Sequence, residues 1–191
     1  MATGAKVIQL YRKADNKTRV GLICDNYSCF ENIIDADINS LKNIVADEIR
    51  SMKSSRRTGA AELGVRVQGG GGISDPTFNE AANNTMIEIA IQTCDFSNGI
   101  IEGIEHEQYV MERAEVLRTM KHDLDSFKMQ LGCLQDEEKV YFMPYLLKQK
   151  TIYDLADELG FTYKTTYRKI DKIRIKINEG MHPVLGWEEE E

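Results

Sequence analysis

Residues 151–169 read TIYDLADELGFTYKTTYRK, and their spacing decides the fold predicted for the C-terminal part of the chain. Ala156 and Gly160 lie four residues apart, as expected where two helices cross closely and the turn between them needs a positive φ. Phe161, directly after the glycine, is predicted to fill the core. The apolar positions of the first helix recur at helical spacing and form one inward face, made by Ile152, Leu155, Ala156 and Leu159.

A second helix is predicted after this turn, with Thr162 as its N-cap. Its inward face recurs at +4, +7 and +11 and consists of Thr166, Ile170, Ile173 and Ile177. Residues 161–177 also hold six basic side chains and a single acidic one, for a net charge of +5. The pattern therefore predicts a helix-turn-helix whose second helix presents a basic face to solvent.

The side chains on that outer face are suited to DNA. In a helix-turn-helix, the N-terminal residues of the second helix reach base edges, while later basic residues meet phosphates. The predicted base contacts are Tyr163, Lys164, Thr165, Tyr167 and Arg168. The predicted phosphate contacts are Lys169, Lys172, Arg174 and Lys176. Plain packing with a solvated basic face is the alternative, but it leaves unexplained why cap, corner glycine, buried spacing and charge coincide in 27 residues.

The net charge of the whole chain is −7, which contrasts with this basic helix. The acidic residues are concentrated elsewhere: residues 75–138 contain 14 acidic and 4 basic side chains, and residues 188–191 are all glutamate. Charges are screened beyond about 8–10 Å at physiological salt, so a basic helix keeps its own positive field on an acidic chain. The acidic middle argues against a protein coated in nucleic acid.

The composition, with 42% hydrophobic residues and three prolines in 191, indicates a folded, mainly α-helical protein. No run approaches the ~18 apolar residues of a membrane span, and the N-terminus lacks the apolar core of a signal peptide. We therefore expect a cytoplasmic protein without a membrane partner, whose cysteines are free thiols. No metal site, cofactor or catalytic constellation is predicted, so an enzyme is not expected.

The N-terminal region, residues 1–53, contains two apolar runs and one amphipathic helix. KVIQLY (6–11) and RVGLIC (19–24) favour a β-hairpin slightly over a frayed helix. Residues 35–52 show the spacing of an amphipathic helix. Residues 54–75 are rich in glycine and serine but lack the lysine of a phosphate-binding loop, which favours a linker. Asp75 is predicted to cap the helix that begins at Pro76.

Residues 76–132 are predicted to form two long helices, over 76–95 and 100–132, with FSNG (96–99) between them. A seam with seven-residue spacing follows the second helix at Val110, Leu117, Leu124 and Leu131. Such a seam forms either a coiled coil or an intramolecular helical hairpin. A homodimer through the 100–131 helix is expected if the seam is intermolecular, because one small DNA-binding module usually needs a second copy. The helix-turn-helix domain, 134–180, and an acidic tail, 181–191, complete the chain.

The segment LQDEEKVYFMPYLLKQKTIYDLADELGFTYKTTYRKIDKIRIKI, residues 134–177, resembles region 4 of sigma-70-type factors. It is more closely similar to the sigma-like C-terminal domain of RinA/ArpU-type late transcriptional activators of Gram-positive phages. Upstream, GVRVQGGGGISDPTFNEA is similar to the layout of phage regulators of this type. The resemblance implies binding to promoter-proximal double-stranded DNA and contact with bacterial RNA polymerase. Pro144 and the two tyrosines of the second helix depart from the common sigma pattern, and a complete sigma factor is not expected.

Three other functions stay open from the sequence. A phage small terminase subunit, which packages DNA, also joins a helix-turn-helix to oligomerising helices, but usually carries it at the N-terminus. A site-specific recombinase needs a nucleophile supported by arginines, and neither Ser28 nor Ser40 lies in a recognisable catalytic setting. The third alternative is a structural protein whose last domain binds another protein.

Overall fold

A computed structural model describes residues 4–62 and 76–182 of the chain. Every regular element within these ranges is an α-helix, which confirms the predicted mainly α fold. The helices are α1 (Gly4–Lys13), α2 (Asn16–Glu62), α3 (Pro76–Thr93), α4 (Glu107–Gly132), α5 (Asp136–Leu146), α6 (Ile152–Leu159) and α7 (Tyr163–Met181). None of the helices in the described part of the chain combines the length and apolar character that a membrane crossing requires.

The chain divides into two compact units. The first combines the residues up to Ile34 with those from Thr119 onward, and the second consists of Asp35–Arg118. The boundaries fall inside α2 and inside α4, so each of these two helices contributes side chains to both units. The three C-terminal helices α5, α6 and α7 belong to the first unit.

The β-hairpin predicted for residues 6–24 is wrong, because α1 covers the first apolar run and α2 covers the second. Val7, Ile8 and Tyr11 are buried at the i, i+1, i+4 spacing of one helical face. The polar stretch between the runs ends α1 and caps α2: the Asp15 carboxylate accepts a 2.9 Å hydrogen bond from the Thr18 N–H. Burial of a helical face in the first unit therefore overrides the β-propensity of the branched residues.

The seam of α4 is buried inside the chain. Its apolar side chains are at most 6% exposed, namely Val110, Leu117, Met120, Leu124, Phe127 and Leu131. In the first unit the ring of Phe127 packs on that of Tyr27 from α2, with centroids 5.6 Å apart. In the second unit Arg113 of α4 donates two hydrogen bonds to Asp37 of α2, at 2.6 and 3.0 Å. The seam thus packs intramolecularly, and these side chains offer no free surface for the homodimer predicted through residues 100–131.

The helix predicted over 35–52 is confirmed as part of α2, where Ile38, Leu41 and Val45 are buried in the second unit. The structure extends this helix to Glu62, so the first part of the linker predicted for 54–75 is helical. Residues 63–75, with the predicted cap Asp75, lie outside the described residues, as does the tail from residue 183.

The second long helix of the middle region begins later than predicted. α4 starts at Glu107 instead of about residue 100. Gly99 and Gly103 adopt left-handed φ values of 69° and 78°, which a continuous helix does not accommodate. Ile101 and Ile104 are buried within these turns. The turns therefore add apolar side chains to the core of the second unit.

Asp123 of α4 is a buried carboxylate in the core of the first unit. Its Oδ2 accepts a 2.6 Å hydrogen bond from the Tyr11 hydroxyl, and Arg19 Nη1 lies 3.9 Å away. Burial, reinforced by the bond to Asp123, raises the pKa of Tyr11 above its usual value. A carboxylate in this position is tolerated because it has these partners.

Replacing Tyr11 by phenylalanine should lower the free energy of unfolding by about 1–3 kcal/mol, since Asp123 loses its short hydrogen bond. The loss should depend on pH. The neutral hydroxyl stabilises the fold fully below the pKa of an unfolded tyrosine, about 10, and its contribution disappears as the pH rises further. Urea unfolding of both proteins at pH 8 and near pH 10.5 measures this. A constant difference between the two proteins would contradict the assigned role.

Candidate nucleic-acid interface

The turn between α6 and α7 is set by one left-handed residue. Gly160 has φ 66°, and its N–H bonds to the Asp157 carbonyl at 3.4 Å. The Phe161 N–H bonds to the Ala156 carbonyl at 2.9 Å, completing a Schellman motif that satisfies the last carbonyls of α6. A Cβ at Gly160 would meet nothing within 4 Å, so the glycine supplies conformation and not space. The predicted turn glycine is confirmed, and Ala156 is buried beside it.

Threonines cap both helices of the corner. The Thr151 hydroxyl accepts from the Asp154 N–H at 3.3 Å, and the Asp154 carboxylate accepts from the Thr151 N–H at 2.8 Å. Thr162, the predicted cap of α7, accepts from the Thr165 N–H at 3.3 Å. The hydroxyls of Thr162 and Thr165 also lie 2.9 Å apart. The structure therefore places Thr165, a predicted base contact, in the cap of α7.

The inner face of α7 is buried as predicted. It consists of Thr166, Ile170, Ile173 and Ile177, which pack in a core with α5 and α6. Phe142 and Leu146 of α5 are fully buried in this cluster. The prediction that Phe161 fills this core is wrong. Phe161 is 40% exposed, and the Lys169 ammonium lies 4.1 Å from its ring centroid. Phe161 follows the left-handed Gly160, and its ring lies at the surface against Lys169 of α7.

The six basic side chains of α7 fall into two groups. Lys164, Arg168 and Lys172 are exposed, and none of them pairs with an acidic side chain in the part of the chain that the structure describes. They occupy positions i, i+4 and i+8 on one side of the helix, which we call the cation row. A rise of 1.5 Å per residue spreads the row over about 12 Å. The row gives the outer face of α7 its unpaired positive charge.

The other three basic residues hold α7 to its neighbours. Arg174 donates to Asp25 of α2 at 3.0 Å and to the Tyr145 hydroxyl at 2.8 Å. Lys176 contacts both carboxylate oxygens of Glu138, at 2.8 and 3.1 Å, and this bond lowers the pKa of Glu138. Lys169 contacts aromatic rings. These predicted phosphate contacts already have intramolecular partners.

Three exposed tyrosines lie side by side across the corner, and we call them the tyrosine row. Tyr163 and Tyr167 lie on consecutive turns of α7. Their ring centroids are 6.4 Å apart, and the ring planes are 23° from parallel. Tyr153 of α6 adds a third ring, 4.5 Å from that of Tyr163. All three residues are exposed, Tyr153 by 67%, Tyr163 by 43% and Tyr167 by 50%. Exposed aromatic groups of this size are typical of contact surfaces.

Tyr153 was not among the residues predicted from the sequence. Its outward position follows from helical spacing, because it lies beside Ile152 but off the apolar face. Its contact with Tyr163 depends on the angle that Gly160 imposes on the two helices, which spacing does not reveal. Asp25, the partner of Arg174, is also unexpected, since 149 residues separate them.

The acidic side chains of α6 are largely occupied by local partners. The Asp154 carboxylate is bound by the Thr151 backbone and hydroxyl, which lowers the pKa of Asp154. Glu158 pairs with Lys150. The acidic charge of α6 is thereby partly compensated within the corner itself.

The corner thus combines three cations that have no acidic partner among the described residues with three exposed tyrosines on two helices. Comparison with protein-family models, with curated proteins and with solved structures finds no match. The relation to sigma region 4 accordingly stays a prediction from residues 134–177. The cation row and the tyrosine row are the features from which a function can be inferred.

Arg174→Ala should lower the free energy of unfolding by about 1–3 kcal/mol, because it leaves Asp25 and Tyr145 without their shared donor. Lys172→Ala, on the same helix, is the matched control and should change stability by less than about 0.5 kcal/mol. Chemical unfolding of the two variants and the parent protein measures both effects. Equal stabilities for the two variants would show that Arg174 does not anchor α7.

Proposed function

We propose that the chain is a sequence-specific DNA-binding regulator of transcription. In this proposal α6 and α7 form a helix-turn-helix, and α7 enters the major groove of double-stranded DNA. The observation that carries the proposal is the cation row: three exposed basic side chains, without an acidic partner in residues 4–62 and 76–182 as far as these are described, on the outer face of a helix whose inner face is buried.

The geometry of α7 suits this role. The major groove, about 12 Å wide, admits an α-helix. Arg168 lies in the middle of the cation row, two turns or fewer from the N-terminus of α7, where base edges are reached. A guanidinium can donate two hydrogen bonds to one guanine. Lys164 and Lys172 lie one turn to either side and are positioned for phosphates or base edges along the groove.

The resemblance of residues 134–177 to sigma region 4 supports a more specific proposal. We infer a late activator of the kind found in Gram-positive phages, acting in the bacterial cytoplasm near promoters. A contact with host RNA polymerase belongs to this proposal, as does a non-catalytic role. Because the apolar side chains of the α4 seam are buried within the chain, a homodimer would have to form through other surfaces.

Binding to random and selected duplex DNA at two salt concentrations tests the proposal. Each neutralised phosphate contributes a slope of about −0.9 in log K against log salt. If Lys164 and Lys172 both neutralise phosphate while Arg168 contacts a base, affinity should fall about 12-fold between roughly 50 and 200 mM salt. A repeated selection from random duplex then supplies the preferred site. Absence of salt-dependent binding would refute the proposed function.

Two substitutions in the cation row should have different effects. Arg168→Ala should reduce discrimination between the selected site and random DNA by about 1–3 kcal/mol, because it removes a bidentate base contact. Lys172→Ala should weaken binding to all sequences and reduce the salt slope by about 1. Titrations of both variants on both DNAs, over a range of salt, measure this.

The exposed Lys121 of α4 provides a control, since Lys121→Ala removes one positive charge from a different helix of the same unit. Its salt slope should equal that of the parent protein. If Arg168→Ala weakens binding to selected and random DNA equally, Arg168 contacts phosphate and not a base. If Lys172→Ala leaves the slope unchanged, Lys172 lies outside the interface.

A further inference from the structure

The tyrosine row is an aromatic surface that phosphate binding does not explain. Tyr153, Tyr163 and Tyr167 are all exposed, yet their rings contact one another. Tyr163 and Tyr167 directly precede Lys164 and Arg168 of the cation row. A DNA groove that receives the cation row therefore also receives these two rings. The group that the tyrosine row contacts can thus be sought among the groups that line that groove.

The spacing of the rings is comparable to that of neighbouring DNA bases. The centroids of Tyr163 and Tyr167 are 6.4 Å apart. Successive bases of one strand rise about 3.4 Å along the helix axis and turn by about a tenth of a revolution, so their major-groove edges lie roughly 5 Å apart for one step and roughly 10 Å apart for two. The two rings can accordingly face neighbouring bases of one strand.

The chemistry of the rings selects one group in the major groove. Thymine is the base that presents an apolar group there, its C5-methyl, and apolar side chains contact it. An aromatic face gains from covering such a methyl, because both surfaces leave water. We propose that Tyr163 and Tyr167 each contact the methyl group of a thymine, and that the two thymines are neighbours on one strand. This inference rests on the proposed function and adds part of the recognised sequence to it.

Tyr153 acts in this proposal as a positioning residue. Its ring lies 4.5 Å from that of Tyr163 and comes from the other helix of the corner. The contact limits the rotation of the Tyr163 side chain and so holds its ring in place before DNA arrives. Binding then requires less ordering of that side chain, which lowers the entropic cost.

Replacing thymine by uracil tests the proposal without changing the protein. Uracil lacks the C5-methyl but keeps the base pairing. Starting from the selected duplex, each thymine is replaced singly, and binding of the full chain is titrated. Removal of a contacted methyl should weaken binding about fourfold, and removal of both about 15-fold. Sensitivity should be confined to two neighbouring positions on one strand.

Variants of the tyrosine row assign each methyl to its ring. Tyr163→Ala should abolish the effect of uracil at one sensitive position, and Tyr167→Ala should abolish it at the other. Tyr109→Ala removes an exposed tyrosine from the second unit and should leave both sensitivities intact. Helix content and thermal unfolding show whether each variant is folded.

The positioning role of Tyr153 has its own readout. Tyr153→Ala should reduce the uracil effect at the position assigned to Tyr163, while Tyr153→Phe, which keeps the ring, should restore it. The effect at the position assigned to Tyr167 should not change in either variant. A merely structural role would lower binding to uracil and thymine duplexes alike.

The proposal is overturned if uracil is tolerated at every position, or if the selected sites lack neighbouring thymines on one strand. It is likewise overturned if the tyrosine variants bind all DNAs as the parent does, which would indicate that the tyrosine row faces another partner. In each of these cases salt-dependent, sequence-selective binding through the cation row can persist, so the proposed function survives. Loss of all DNA binding by the parent protein would instead refute both.

Discussion

The left-handed backbone at Gly160 is the constraint on which the orientation of α7 depends. The Schellman bonds around it end α6 at Leu159, and only three residues separate that end from the first residue of α7. Once the two helices are held at this angle, the packing of the α7 isoleucines against α5 and α6 determines which side of α7 remains outside. The cation row and the tyrosine row are exposed for this reason. Their geometry is a consequence of packing elsewhere in the corner, so it is present before any ligand arrives.

The acidity of the chain and the basic character of α7 are compatible because many of the charged side chains have intramolecular partners, whereas the cation row is exposed. Half of the basic residues of α7 contact other parts of the first unit, as Arg174 does with Asp25. Carboxylates on α6 are bound by nearby donors, as Asp154 is by Thr151. Within the described part of the chain, three cations on the outer face have no acidic partner. A net charge of −7 also opposes nonspecific attraction to DNA, so the proposed DNA binding would rely on the close fit of a small surface.

Sequence reasoning succeeded where local rules and tertiary packing agree. The cap at Thr162, the turn at Gly160 and the buried stripe of α7 follow from capping, backbone and periodicity rules, and the structure confirms them. It failed where packing overrides a local preference. The first apolar runs have β-branched residues that favour strands, yet burial against the first unit makes them helical. For the α4 seam, periodicity identified the apolar face, but a heptad does not specify whether its partner is in the same chain.

The sequence by itself determined the helical character of the C-terminal region, the position of its corner and which face of α7 is apolar, because these depend on residues within a few turns of one another. Only the tertiary structure decided which basic residues of α7 are unpaired and which rings meet. Asp25 reaches Arg174 across 149 positions, and Tyr153 reaches Tyr163 across the corner. Such pairings depend on how separate helices pack, and no periodicity within a single helix encodes its neighbour.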